Sequence, residues 1–402
     1  MGLKDFFKVV DKYAKNTKKK VKLSSLEGFR VAVDISIFLY KAIRSSGDER
    51  WIDQFTMFLC KFKKYGVILL CIFDGPNPTK EKAQEQLRRR EANAKIINKL
   101  ERLRFISKEL KKDLKNGAET VDDETIVEIQ SLLRSKKGKV DTINYEDIGD
   151  VIEGLNHAID RYSKMTLPIG KEFQDKAMEI VDIMGIAYFK ADGEAETLCS
   201  QLCIKGHVDA VLSRDTDVLA YRTPIFLYDL DFKDDVTTMI NCEELCQELE
   251  FTPDQFLDLC ILLKRDYNSR IKGYPPDGKN HKKPVCIGWE RAYLMIKEYE
   301  SLEACEEYIE DIKPLKYRRC RKLFSTPKNV DLPVIPYIKP INEKRLYDFH
   351  EKNIFRINLT YVLDTYKPTP LDFSDDESET EKVESEVHFN IHHCWIAMWM
   401  SV

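Results

Sequence analysis

The chain has 402 residues, of which 43% are hydrophobic and 33% charged, enough for a sizeable core in one or two domains. No apolar run approaches the ~20 residues of a membrane span, and MGLKDFFKVV has neither a signal peptide's h-region nor the Ser or Thr that myristoylation requires at Phe6, so a soluble intracellular protein is expected. The net charge of −4 is uneven: residues 372–402 carry eight acids and one lysine, which leaves the rest mildly basic.

In chain order, five lysines crowd Lys15 to Lys22, and then RVAVDIS (30–36) and VILLCIFDG (67–75) read as buried parallel strands, short apolar runs that end in an acid. IAYF (186–189), VDAVLS (208–213) and IFLYDL (225–230) are three more. Helical patterns separate them over Phe38–Ile43, Trp51–Tyr65, Phe173–Met184 and Ala195–Ile204, the last with Leu198, Cys199 and Leu202 on one side. Strands alternating with helices predict an α/β fold, a mostly parallel sheet with helices on both faces.

Between the second and third strands lies a long insertion. Its stripes Ile97, Leu100, Leu103, Ile106, Leu110, Leu114 and Ile148, Val151, Ile152, Leu155, Ile159, Tyr162 have helical spacing and predict helices folded on each other as a cap or arch. Lys80–Asn116 holds thirteen Lys/Arg against six acids, and Glu119–Glu153 holds ten acids against four Lys/Arg. Further on, TPDQFLDLCILLKRDY (252–267) predicts an amphipathic helix with Thr252 as N-cap, Pro253 in its first turn and an end at Asp266. IKG (271–273), a polar loop (275–284) and a helix over IGWERAYLMI (287–296) follow, a pattern that fits a phosphate-holding turn or a plain helical hairpin.

The expected segments are 1–79 and 166–250 for the sheet, 80–165 for the arch, 251–371 for the C-terminal helices and 372–402 for an acidic disordered tail. His388, His392, His393 and Cys394 in that tail fit a docking segment or a disordered end better than a metal site. Eleven cysteines without C-x-x-C pairs read as reduced thiols, and the four-residue spacings of Cys199/Cys203 and Cys242/Cys246 as helix packing.

Asp34, Asp74, Glu194, Glu196, Asp215 and Asp217 all fall at strand or helix ends on the edge where such sheets bind ligands. Carboxylates gathered there repel one another, and oxygen ligands without His or thiolate select Mg²⁺ or Mn²⁺. Six acids exceed one ion's needs and suggest two, ~3.5 to 4 Å apart, the arrangement that hydrolyses phosphodiesters.

These residues resemble the flap endonuclease/XPG family of structure-specific 5′-nucleases, in the manner of a divergent or viral member. MGL is similar to the family's MGI, RVAVDISIFLY to the strand with its first catalytic Asp, and CIFDG to its FDG. DGEAE resembles its S/G-E-A-E, SRDTD its D-x-D, and FLDLCILLKRDY with IKG its LLGSDY…I-x-G hairpin. The likeness covers roughly residues 1–75 and 175–300, and weakly 340–366.

The resemblance implies a PIN-like 5′-nuclease fold with a helical arch and a helix-hairpin-helix element. It implies metal and water positioning by the six acids and Asp266, base stacking by Tyr40, and DNA contacts by Gly2, Arg88, Lys272, Gly273 and Gly288. The family places a Lys and an Arg seven apart over the scissile phosphate. Lys82 and Arg89 have that spacing, Lys80 and Arg88 fit the distance from FDG about as well, and Lys80 and Arg89 are carried forward as the expected pair.

Three departures stand out. An insertion follows Gly273, where the family holds K⁺. The Asp74–Glu194 interval is longer than in flap endonucleases and shorter than in nucleotide-excision members. No sliding-clamp motif Q-x-x-I/L/M-x-x-F/Y-F/Y is found near the end. The expectation is a monomeric, metal-dependent endonuclease, with or without 5′-exonuclease action, on branched or nicked DNA in replication, recombination or repair, in a nucleus or at a viral DNA replication site. An RNA endonuclease of the same fold, or a non-catalytic nucleic-acid scaffold, is the alternative.

Overall fold

Seven strands form one sheet: β1 (Lys18–Lys22), β2 (Arg30–Asp34), β3 (Ile68–Phe73), β4 (Ala187–Lys190), β5 (Ala210–Ser213), β6 (Ile225–Asp231) and β7 (Val236–Asn241), in the order β1-β7-β6-β5-β2-β3-β4. The structure is a computed structural model describing residues 2–3, 5–48, 50–77, 80–134, 143–263, 271–274, 276, 283–325, 339–353 and 355–366, with backbone only for Lys80, Glu81 and Glu85. Strands β2 to β6 are parallel, and β7 and β1 close one edge antiparallel. The five strands read from sequence are β2 to β6; β1 and β7 were not read.

Period-2 alternation decides which face each strand residue covers. Val31, Val33, Leu69, Cys71 and Phe73 face one core, with α2 (Ile35–Ser46), α3 (Trp51–Lys64) and α7 (Lys171–Ile183). Ala32, Leu70 and Ile72 face the other, with α1 (Phe6–Tyr13), α8 (Ala195–Ile204) and α10 (Cys242–Leu249). A parallel sheet covered on both faces has to be apolar in every residue, and this explains the continuous runs. The chain leaves β2 for β3 on one side and reaches β5 on the other, so the carboxyl ends of β2 and β5 flank a topological switch point.

Among its described residues the insertion forms three helices, α4 (Lys80–Lys115), α5 (Asp123–Leu133) and α6 (Ile148–Thr166), with a core of their own that includes Leu103, Ile106, Leu110, Ile129, Val151 and Leu155. With no Gly or Pro inside it, α4 runs 36 residues, about 54 Å, and stops at Gly117 in a left-handed turn of φ 93°. Asp122 and Asp147 cap α5 and α6 through their carboxylates. Leu100 to Leu110 of the predicted stripe are buried, whereas Ile97 and Leu114 are 36% and 45% exposed, because the 19-residue α6 is too short to cover both ends of α4.

Beyond the sheet come α11 (Pro253–Leu263), α12 (Trp289–Tyr299), α13 (Leu302–Cys305) and α14 (Tyr317–Phe324). Thr252 and Gln255 form a reciprocal capping box at the start of α11, at 3.2 and 2.8 Å. That helix is not amphipathic over its described length. Phe256 to Leu263 are all buried, since α12, α14 and the short α9 (Asp217–Ala220) pack around it. Its one buried acid, Asp258, receives Arg321 at 2.7 and 2.5 Å and the backbone N–H of Leu302 at 3.0 Å.

Finally α15 (Glu343–Lys352) packs on α7 and α16 (Leu359–Tyr366) on α3, and Asp53 accepts the backbone N–H groups of Arg356 and Ile357 at 2.8 and 3.0 Å. Contacts group Met1–Tyr366 as one unit; Lys367–Val402, with the predicted acidic tail and its histidines, lies outside the described residues. No described helix is long and apolar enough to cross a membrane. The ten described cysteines are free, and eight of them are buried.

Candidate active site

Three close approaches of backbone build the rim. Gly75 donates its N–H to Gly193 O at 2.7 Å, and a methyl on Gly75 would lie 1.9 Å from Ala191 O. Only glycine lets the end of β3 sit against the loop that presents Glu194. Gly2, at φ 84°, packs so tightly on the β5 loop that a methyl would lie 2.2 Å from Asp215 Oδ1, and Leu3 N–H donates to Thr216 Oγ1 at 2.8 Å. Third, Asp217 N–H donates to Asp215 Oδ1 at 3.0 Å, a local turn that opens α9 and turns both carboxylates of the D-x-D toward one place.

Glu196, Asp215 and Asp217 are all buried, and their carboxylate oxygens lie within 4.8 Å of one another. Burial, then Asp215, pushes Glu196 well above the usual carboxylate range despite Lys82. Burial, then Asp217, raises Asp215 to about 6. Asp34, 3% exposed at the end of β2, is also held well above its ordinary value by burial, Asp74 and Asp215. Ser213 ties it to the cluster: its hydroxyl donates to Asp34 Oδ2 and accepts from Asp215 N–H, both at 3.0 Å. Asp74 accepts the first N–H of α8, from Ala195, at 3.0 Å, so a helix N-terminus orients it. Glu194 is the N-cap residue of that helix.

Among the described residues, Lys82 sets a cation beside this excess of buried negative charge. Lys82 Nζ lies 3.4 Å from Glu194 Oε2 and 3.6 Å from Glu196 Oε1. Burial pulls its pKa down, but Glu196, Glu194, Asp215 and Asp217 more than offset this and hold the ammonium form. Buried, all-oxygen and over-supplied with negative charge, the donor set fits a hard divalent cation.

The other expected residues fall as follows. Tyr40, on α2, is 46% exposed, and burial, Asp74 and Asp34 raise its hydroxyl pKa. Arg88 and Arg89 are exposed on α4, and Arg89 is two turns beyond Lys82 on nearly the same face. The side chain of Lys80 and the whole of Asp266 lie outside the described residues. Lys272 and Gly273 pair with Cys286 and Val285, and a methyl on Gly273 would meet Tyr308 O at 2.4 Å. Gly288 is the extended N-cap of α12, with open space where a Cβ would be. Most of the loop between, with any potassium site, lies outside the described residues. Sequence reasoning missed Ser213 and the backbone donors; the S-x-D-x-D spacing was the available signal.

A doubly covered, mostly parallel sheet with a carboxylate cluster at its switch point, and a basic helix set on that cluster, fits a metal-dependent hydrolase acting on a polyanion. Residues 1–96 match the XPG N-terminal domain and 185–266 the XPG I-region. The chain is 26% identical over 356 residues to a probable RAD2-like endonuclease 076L of Invertebrate iridescent virus 3, covering 82% of this chain and 87% of that protein. It is 25% identical over 346 residues to flap endonuclease 1 of Enterocytozoon bieneusi, covering 81% and 78%. Its fold is similar to the catalytic core of Rad2 in complex with DNA substrate, with a TM-score of 0.58 at 16% identity over 91% of this chain and all of that one. The chain carries both XPG regions, is similar along most of its length to RAD2-like and flap endonucleases, and is a nuclease.

Proposed function

We propose that the chain is a structure-specific endonuclease that cuts branched or nicked DNA at a 5′ single-stranded arm, in replication, recombination or repair, in a nucleus or at a viral replication site. The observation that carries this reading is the convergence of Glu196, Asp215 and Asp217 with Lys82 at the foot of a basic helix. Asp34, Asp74, Glu194 and Asp266 complete the acid set, enough for two ions, Mg²⁺ or Mn²⁺. When bound, such ions would supply a hydroxide at neutral pH and charge compensation at phosphate oxygens.

The chain's own groups position and select. Tyr40 offers a half-exposed ring for stacking any base, which suits recognition of shape over sequence. Lys82, and Arg89 two turns above it, set positive charge on the side of α4 that meets the rim, where negative charge grows in the transition state. Lys80 and Arg88 lie on the same basic turns. Lys272, Gly273, Gly288 and Gly2 are assigned to duplex contact and to bracing the D-x-D loop.

The test is cleavage of end-labelled flap, bubble and nicked DNA and single-stranded RNA, side by side with Mg²⁺. Asp217→Asn and EDTA should each lower the DNA rate by ~10³-fold or more while binding persists. A near-normal rate in either would sink the metal reading, and preferential cutting of RNA would move the substrate assignment.

A further inference from the structure

A second set of cations lies on α4 far from the rim. Arg104, Lys108, Lys111 and Lys115 recur every three or four residues and so form one stripe, with Lys112 on its flank. They border an open groove of about 600 Å³ whose far wall is Asn156 and Ile159 of α6; among the described residues Glu109 is the one acid along it.

This charge is largely uncompensated. Arg104 bonds the neutral Ser163 hydroxyl at 2.9 Å and Lys111 the neutral Asn156 carbonyl at 3.1 Å. Lys112 is 3.9 Å from Glu109, and among the described residues neither Lys108 nor Lys115 has an acid within ion-pair reach. By contrast Arg102, on another side of α4, is held by both oxygens of Glu128. Arg104/Lys108, Lys108/Lys112 and Lys111/Lys115 are like-charge i,i+4 pairs, each mildly destabilising to the helix. A merely solvated face gains nothing from that arrangement; a polyanion lying along it would.

The stripe's length and position indicate which polyanion. Eleven residues of rise make a line of charge ~17 Å long, room for about five phosphates of a stacked strand. Its centre lies about 40 Å along α4 from Lys82, so an arm rising from the rim beside this helix meets it only when long enough, about 12 stacked nucleotides. We propose that the Arg104–Lys115 face of α4 is a remote contact for backbone phosphates of the single-stranded 5′ arm; this rests on the branched-DNA reading of the rim.

The test uses the full chain with Lys108, Lys111 and Lys115 changed together to Gln, which keeps helix propensity. For a flap of about 25 nucleotides, KM should rise roughly tenfold and the slope of log affinity against log salt should fall by ~2, at about 0.7 per lost phosphate contact. A flap of two nucleotides should keep its KM, and kcat should hold for both. Equal losses on short and long flaps, or no loss on either, overturn the proposal. If the wild type cuts no branched DNA, the function reading fails instead, and the face is still judged by affinity for a free single strand of about 25 nucleotides. Loss of that affinity in the triple variant supports the contact; unchanged affinity, or an equal loss for a blunt duplex, overturns it.

Discussion

Lys82 sets its ammonium 3.6 Å from the buried carboxylate of Glu196, so the arch's first helix and the sheet's acid rim meet through a charge pair. That contact neutralises part of the rim, and in the proposed reaction the same ammonium would present a cation to the substrate.

Lys82→Met keeps the apolar stem and removes both roles. Turnover should fall ~10²-fold with KM within about threefold, because a charge acting on the developing transition state appears in kcat. Lys80→Met should cost less than about tenfold. Single-turnover cleavage at saturating substrate decides, and equal effects of the two variants would reject the Lys82 register.

The choice between Lys80 and Lys82 shows what a sequence conceals. The acids were legible because buried parallel strands are unbroken apolar runs, so an acid closing RVAVD or CIFD has to lie at the sheet's edge. The phase of α4 was not, because it depends on where the helix starts, and Lys80, Lys82, Arg88 and Arg89 all lie near that start. KKKVK was read only as a basic run; it is β1, an edge strand, where lysines are common because they discourage further pairing. Asp258 made FLDLCILL look amphipathic, since its partner Arg321 is 63 residues away.

Removal of Arg321 should therefore be costly. Arg321→Ala leaves Asp258, 1% exposed, as an uncompensated buried charge and should destabilise the protein by about 3 kcal/mol. Glu303→Ala removes only the outer, 46% exposed partner of the same arginine and should cost less than about 1 kcal/mol. Urea unfolding of both variants checks the order; equal losses would show that Asp258 finds another partner.

The rim also makes stability depend on pH. Asp215 rises from 3.8 to about 6 in the fold, so the folded protein binds this proton more tightly than the unfolded chain. Its stabilisation is complete below about 3.8 and is lost as pH rises through about 6. Without divalent ions, the stability advantage of wild type over Asp215→Asn should shrink between about pH 4 and pH 7, and added Mg²⁺ should raise the melting temperature more at pH 8 than at pH 5. A pH-independent difference between the two proteins would contradict the burial of this carboxyl.

Gly2 offers the sharpest separation of site from scaffold. Its φ of 84° and the 2.2 Å approach of a methyl to Asp215 Oδ1 mean that Gly2→Ala has to move the D-x-D loop, since backbone and buried carboxylate meet there with no slack. Displacing Asp215 by a fraction of an ångström should lower kcat ~10²-fold. The global fold should change little, because only the first residues and one loop are involved. Gly28→Ala is the control: its φ of 76° imposes similar backbone strain, about 1–2 kcal/mol, but open space surrounds the new methyl. Gly28→Ala should thus lower the melting temperature modestly and leave kcat unchanged. If Gly2→Ala cleaves at the wild-type rate, or if Gly28→Ala loses as much activity, the N-terminal turn does not brace the acid rim.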